Sequence, residues 1–293
     1  VNAPPVPNRI DNLPIADYAS DNVGAPGPTL NSSLANLLLA RSEFHAWFDH
    51  PRLNPDRRER EVSNLMNIGS AAHAIFLENA GDRIASIPYD DWRSARSREM
   101  REEAEAEGKI PLLSRDVAAA FAMANQAAIT LATSPDLAGL GETCSERTYW
   151  WEESRDEPTA YMRCRPDMVS ADGAIIISYK TTAQNPHPDA YFKTLLNAGY
   201  ELQAAFEIVG VETIEGTRGA KYVWLVQENE PPFACSLIGM SPMLRHLALS
   251  RFDQAVTRWA DALATDRWPA YPNRIAYPEV PAWRLKELEE EMK

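Results

Sequence analysis

Two stretches hold residues whose types and spacing could do chemistry: Arg163-Cys164-Arg165-Pro166-Asp167 and, after an apolar run, Ile175-Ile176-Ile177-Ser178-Tyr179-Lys180-Thr181-Thr182. Hydrolysing a phosphodiester requires water delivered in line to phosphorus, while negative charge spreads over the phosphoryl oxygens and builds on the leaving oxygen. One or two divalent cations meet both demands. Magnesium prefers octahedral oxygen coordination, keeps several waters and is usually held by one or two carboxylates, which makes Asp167 the first candidate ligand. A lysine beside such an ion stabilises developing charge or orients the attacking water, and Lys180 is a candidate for that part. Strand side chains alternate between faces, so Ser178 and Lys180 point one way and Tyr179 the other.

These residues resemble the PD-(D/E)XK nucleases, in the branch that contains the RecE-type (exonuclease VIII) phage exonucleases and the RecB nuclease domain. Lys180-Thr181-Thr182 follows the family's lysine-threonine-threonine run. The resemblance implies that Asp167 ligates the metal, that Lys180 assists the water and that the Tyr179 position offers its carbonyl. It also implies a second carboxylate at the position that Ser178 holds. A neutral hydroxyl there removes a full negative charge from a site for a dication, so weakened metal binding and a large loss of rate are expected. Three readings stay open: a protein that binds but hardly cuts; a carboxylate supplied from elsewhere, with Glu146, Glu201 and Glu207 the candidates; or a register offset by one or two residues.

Upstream, Gly69-Ser70-Ala71-Ala72-His73 lies on an apolar helical stretch running from residue 65 to Glu78. A lone histidine on such a helix is more often a hydrogen-bonded core residue than a ligand. The RecB and RecE branch, however, has a glycine, three residues and then a histidine ligand on its first core helix, and Gly69 and His73 keep that spacing. Glu146 stands on a strand where the family commonly keeps a glutamate near the site, its other reading being a solvated strand edge. Downstream, RecB-like nucleases carry a glutamine and a nearby tyrosine that support DNA positioning. Gln203 fits the glutamine, Glu207 stands where the tyrosine would be, and Tyr200 precedes Gln203 by three positions.

The elements that must position these groups follow from pattern and punctuation. Residues 1–28, rich in Pro, Asn, Asp and Gly, are expected to form an extended arm. Asn31-Ser32-Ser33 gives capping chemistry for a helix carrying Leu34, Leu37, Leu38, Phe44 and Trp47, stopped at Pro51. Asp91 to Lys109 is a mixed-charge amphipathic stretch with the densest arginines of the chain; Arg93, Arg96 and Arg98 either pair along a solvated helix or touch a DNA backbone. Ser114 caps a long alanine-rich helix reaching about Leu131. Residues 144–151 and 160–165 read as a hairpin, with Asp172-Gly173 turning into the lysine strand. A helix over 191–209, a buried strand over 221–226, an edge strand over 233–239, a helix over 243–263 and a short Glu-rich tail helix complete the chain.

With 293 residues, 45% hydrophobic and 24% charged, the chain can bury a substantial core. Its 29 Lys and Arg against 42 Asp and Glu give a net charge of −13, which argues against broad nonspecific attraction to nucleic acid and lowers the prior for a coat or chromatin protein. Three scattered cysteines without a C-x-x-C pair point to reduced thiols and away from zinc or four-cysteine iron–sulfur sites. No apolar run approaches the ~18–20 residues of a membrane helix, and residues 1–7 lack the order of a signal peptide, so the cytoplasm of a bacterial host is expected. No phosphate-binding glycine loop is present, which argues against a helicase within this chain.

The fold class expected is α/β, a mixed central sheet flanked by helices with a restriction-endonuclease-like core over residues 29–275, followed by a tail over 276–293. The resemblance implies a Mg²⁺-dependent exonuclease, with Mn²⁺ as the alternative ion, that digests linear double-stranded DNA from the 5′ end. The 3′ overhang would pass to a single-strand annealing protein. Because lambda exonuclease is a trimer and RecE a tetramer, it also implies a homo-oligomeric ring. The competing class is a catalytically inactive DNA-binding protein on a nuclease scaffold, for which Ser178 speaks. A weaker third reading is a regulator whose acidic surface binds protein.

Overall fold

The computed structural model of the chain describes residues 8–57, 68–153 and 159–292; the expectations for residues 1–7, for the helix start at 65–67 and for the hairpin tip at 154–158 lie outside them. The chain opens with β1 (Asn8–Ile10), α1 (Ile15–Ala19) and β2 (Thr29–Leu30), followed by α2 (Ser32–Ala40) and α3 (Glu43–Asp49). Next come α4 (Ile68–Glu78), β3 (Ile84–Ile87), α5 (Ala95–Ala106), β4 (Ile110–Leu113) and α6 (Ser114–Thr133). The strand-rich middle holds β5 (Thr143–Ser145), β6 (Thr148–Glu153), β7 (Ala160–Cys164), β8 (Met168–Ser170) and β9 (Ile175–Thr182). It leads to α7 (Pro188–Asn197), α8 (Tyr200–Glu215), β10 (Lys221–Glu228), β11 (Cys235–Gly239), α9 (Pro242–Thr265) and α10 (Ala282–Glu291).

The architecture is the expected one, a mixed sheet between helices with a restriction-endonuclease-like core. The central sheet runs β11-β10-β9-β8-β5, with β9 and β10 parallel and the other pairs antiparallel. Period-two alternation sorts β9: Ile176 packs with Leu202 and Phe206 of α8 and Phe252 of α9, whereas Ile177 and Tyr179 pack with Leu77 of α4 and Leu131 of α6. Ser178 and Lys180 therefore point toward α8. A second sheet, β1-β6-β7-β2, stands beside the first.

The stretch 144–151, read from sequence as one strand, is two. β5 pairs with β8 in the central sheet, while β6 pairs with β7 in the other, and the chain crosses between them at Glu146, whose φ of 53° lies in the left-handed region. Its partner ribbon crosses at the same level, through Arg165-Pro166-Asp167 between β7 and β8. Proline has no amide hydrogen and cannot continue a ladder, which suits Pro166 to this break.

Residues 8–30, expected to extend as an arm, are built into the chain's own second sheet: β1 pairs antiparallel with β6 and β2 parallel with β7. A buried charge pair fixes them. Asp21 accepts from Arg163 Nη1 at 2.8 Å and from the Thr29 amide at 3.0 Å, and Val23 and Ala25 pack on Trp150. Two helices expected as single pieces are divided. α2 ends at Arg41 and Ser42 starts α3, and α7 ends before Gly199, whose φ of 69° breaks the helix ahead of α8. Ser114 lies inside α6, not at its cap, and donates to the Ile87 carbonyl at 3.1 Å. Along α8, Gly210 lets the helix lie on the second sheet, because a Cβ there would stand 2.6 Å from Trp151 and 2.7 Å from the Cys164 sulfur.

Candidate metal centre

Asp167 leaves the sheet crossing at the mouth of β8 and lies beside β9. It is buried, and a buried carboxylate is costly unless hydrogen-bonded. Its Oδ2 accepts from the Tyr179 amide at 2.7 Å and from the Ser178 hydroxyl at 3.1 Å, with Lys180 Nζ at 3.9 Å. Its Oδ1 faces His73 Nε2 at 3.4 Å. Burial alone would raise this carboxyl; Lys180, His73 and the Tyr179 amide outweigh it and hold the pKa below the ordinary aspartate value.

His73 comes from α4, where Gly69, Ala71, Ala72 and Ala74 are all buried. Their small side chains let the helix pack closely on α6 and β4, where Ala71 and Ala74 meet Ala120 and Leu112. The imidazole stacks on the Tyr179 ring, with centroids 5.9 Å apart and 26° between planes, and its Nε2 lies 3.7 Å from Glu146 Oε1. Burial opposes a charged imidazole, yet the hydrogen bond and charge of Asp167, with Glu146, raise its pKa above the usual value. Glu146 is raised chiefly by burial and also by Asp167, against the pull of Arg165. Arg165 donates from Nε to Glu146 Oε2 at 2.6 Å and from Nη1 to the Leu13 carbonyl at 2.6 Å.

One ligand atom each from His73, Glu146 and Asp167 falls within 4.8 Å of the others. Donors around an octahedral ion with bonds of ~2.1 Å stand ~3 Å apart, so separations of 3.4 and 3.7 Å need only a small contraction. One imidazole nitrogen and two carboxylate oxygens, with room for water, fit a divalent cation of the magnesium or manganese type. His73 and Glu146 line a cleft of about 1100 Å³ whose wall also includes Lys180, Tyr200 and Arg83, and Asp167 lies buried beside them. Lys180 Nζ lies 4.9 Å from the Tyr200 ring centroid, a cation–π contact that fixes the ammonium.

The structure thus brings together His73, Glu146, Asp167, Ser178, Tyr179 and Lys180, with Tyr200 on the rim. Ser178 is completely buried and spends its hydroxyl on Asp167. Gln203, expected to support DNA positioning, is half-buried and donates to Glu207 Oε1 at 2.7 Å. Of the three replacement acids, Glu146 is in the cluster. Glu201 is buried against Arg251, and Glu207 lies under the site, accepting from Tyr222 at 2.7 Å. Burial, with Asp167 adding to it, pushes the Glu207 pKa up to about 7. Arg93, Arg96 and Arg98 are exposed at the start of α5, outside the cleft wall. Arg93 pairs with Asp91, and Arg96 with Glu99 and Glu103.

Sequence reasoning gave no role to Arg165, Leu13 or Tyr222. Arg165 had a visible signal, a second arginine beside the Pro166-Asp167 pair. Leu13 acts through its carbonyl and leaves no trace in side-chain pattern.

The family model described as "PDDEXK-like domain of unknown function (DUF3799)" matches residues 38–280. A solved structure from Eubacterium rectale, described as a proposed exonuclease, superimposes with a TM-score of 0.58 at 12% identity, covering 94% of this chain and 98% of its own. At that identity the likeness is one of fold. The protein SSO0001 aligns with a TM-score of only 0.28 at 11% identity, over 62% of this chain and 84% of its own, and carries no argument. No curated protein matches. Among the described residues no helix is long and apolar enough to cross a membrane.

Proposed function

Because the chain belongs to the PDDEXK-like family DUF3799, we propose that it is a metal-dependent DNA nuclease, acting as an exonuclease on linear double-stranded DNA with Mg²⁺ or Mn²⁺. The observation that carries this reading is the convergence of His73, Glu146 and the buried Asp167 beside Lys180 at the wall of one open cleft. When bound, a divalent cation in this family supplies Lewis acidity and lowers the pKa of water.

The chain's own residues do the rest. Arg165 fixes the rotamer of Glu146, and the Tyr179 amide and Ser178 hydroxyl fix that of Asp167. Lys180, braced on Tyr200, places a cation where negative charge develops on the phosphoryl oxygens. Of the cleft-wall cations, Arg165 is engaged by Glu146 and Arg83 by Glu78. With a net charge of −13, the apoprotein is expected to hold DNA weakly and in a salt-dependent way.

Resemblance to RecE-type enzymes supplies the finer reading: digestion from the 5′ end, a 3′ overhang passed to a single-strand annealing protein, a closed homo-oligomeric ring and action in a bacterial cytoplasm. A second reading, a DNA-binding protein that does not cut, is favoured by the neutral hydroxyl of Ser178. Incubation with Mg²⁺ and linear duplex labelled separately at the 5′ and 3′ ends, beside covalently closed circles, tests both. Loss of 5′ label from linear DNA alone supports the exonuclease. Gel retardation of linear duplex without loss of either label supports the binding protein.

A further inference from the structure

Tyr179 touches two of the three candidate ligands, one with its backbone and the other with its ring. Its amide donates to Asp167 Oδ2 at 2.7 Å. Its ring, on the face of β9 that meets α4 and α6, lies against the His73 imidazole with centroids 5.9 Å apart and 26° between planes, the geometry of an offset stack. Phe76, three residues after His73 on α4, meets the same ring edge to face at 5.4 Å. The ligand from α4 and the ligand from the sheet crossing thus share one support.

The ring is itself fixed from behind. Tyr179 pairs with Leu225 in the parallel ladder, so Gln227, two residues on, projects from the same face. The Tyr179 hydroxyl donates to Gln227 Oε1, and Gln227 Nε2 donates to the Met123 carbonyl at 3.1 Å and the Phe233 carbonyl at 3.0 Å. Two carbonyl partners require the amide nitrogen on their side, which leaves the oxygen to face the tyrosine. Gln227 is completely buried and both its polar atoms are engaged, the condition under which a buried polar network specifies one geometry.

A ligating histidine is ordinarily oriented by a hydrogen bond from its second ring nitrogen. Here Nε2 faces Asp167 and Glu146, and among the described residues Nδ1 has no hydrogen-bond partner. Orientation of the ring is left to the stack. A position needing only to fill space between α4 and α6 would be served by an aliphatic side chain, with no glutamine buried behind it.

We infer that the Tyr179 side chain is a positioning residue of the metal centre: locked by Gln227, its ring sets the plane of the His73 imidazole while its amide holds Asp167. Two ligands from separate elements are thereby aimed at one point. This inference rests on the metal-centre reading, and the part it gives Tyr179 is separate from the backbone carbonyl that the resemblance assigns to the position.

The test is calorimetric titration with Mn²⁺ of the native chain, Asp167→Asn, Tyr179→Phe, Tyr179→Leu, Gln227→Met and Tyr179→Phe/Gln227→Met, each first checked for folding by circular dichroism. Both Tyr179 variants keep the amide that serves Asp167 and lose the hydroxyl, so they differ in the planar face alone. Removal of a group behind the ligands typically weakens metal affinity about 10–100-fold; that loss is expected for Tyr179→Leu, and a smaller one for Tyr179→Phe. Equal affinities of folded Tyr179→Leu and Tyr179→Phe, beside weak binding by Asp167→Asn, overturn this inference and leave the metal centre standing. A native chain that takes up no Mn²⁺, or binds it no more tightly than Asp167→Asn, overturns both. Should Tyr179→Leu not fold, Gln227→Met decides, because it frees the ring without removing it. A weakening that Tyr179→Phe shares and the double variant does not deepen supports the proposal; native affinity in Gln227→Met, or losses that add in the double variant, contradicts it.

Discussion

The backbone amide of Glu146 donates to the backbone carbonyl of Asp167 at 3.2 Å. Two carboxylates separated by twenty residues are thereby locked at the level where a two-stranded ribbon leaves one sheet for another. Their spacing is set by main chain, and side-chain rotamers need only complete it. Arg165, from the same crossing, holds Glu146 in place.

Glu146 occupies left-handed backbone, a conformation that asparagine accepts more readily than glutamate. Glu146→Asn therefore recovers about 1 kcal/mol of backbone strain but leaves the largely buried Arg165 without its carboxylate, so a net loss of about 1–3 kcal/mol is expected. Its Mn²⁺ affinity should fall at least about tenfold. Thermal melting beside calorimetry reads the two separately. A variant that loses stability but keeps affinity would place Glu146 outside the centre.

Lys180 touches Asp167 only at 3.9 Å and is braced by Tyr200. Replacing it by Met should lower cleavage about 100–1000-fold, the range for removing one group that stabilises transition-state charge, without weakening Mn²⁺ binding. Single-turnover digestion with calorimetry on the same variant checks this. Equal losses in both would make Lys180 a support for the ligands.

His50 is completely buried, accepts from the Arg52 amide at Nδ1 (3.1 Å) and bonds the Thr29 carbonyl through Nε2 (3.0 Å). That pattern requires the neutral ring with its proton on Nε2. Burial, against the opposing pull of Asp21, lowers its pKa to about 4. A histidine depressed on folding contributes full stability above its unfolded value near 6.5 and loses it as pH falls toward about 4. This loss is on the order of 2–3 kcal/mol. His50→Gln, which can keep both hydrogen bonds, should flatten the decline; urea melts across this pH window measure it, and an unchanged slope would assign the acid sensitivity elsewhere.

Gly210→Ala tests the seating of α8. The new methyl would meet fully buried Trp151 and the Cys164 sulfur below 3 Å, and overpacking of this kind costs about 1–3 kcal/mol. Because the displaced helix carries Tyr200, which braces Lys180, cleavage should fall along with the melting temperature. A destabilised variant with native cleavage would show that α8 shifts without disturbing the centre.

Much of this was legible in the sequence, and for physical reasons. Period-two alternation placed Ser178 and Lys180 on one face of β9, and the small residues around His73 marked a helix able to pack closely, as it does on α6. The sheet-crossing at Glu146 was not legible, because a positive φ leaves no pattern in a polar residue and the two halves of 144–151 differ only in their partners. The N-terminal segment was misjudged because its Pro and Gly content speaks for extension, whereas its anchor, Asp21 with Arg163, spans 142 positions.

The most direct measurement of the central claim is anomalous diffraction from crystals of the chain grown with Mn²⁺. The account predicts a peak bonded to His73 Nε2, Glu146 Oε1 and Asp167 Oδ1, within reach of Lys180. Crystals in which these three side chains keep their positions with no ion among them, or in which manganese lies elsewhere, would contradict it.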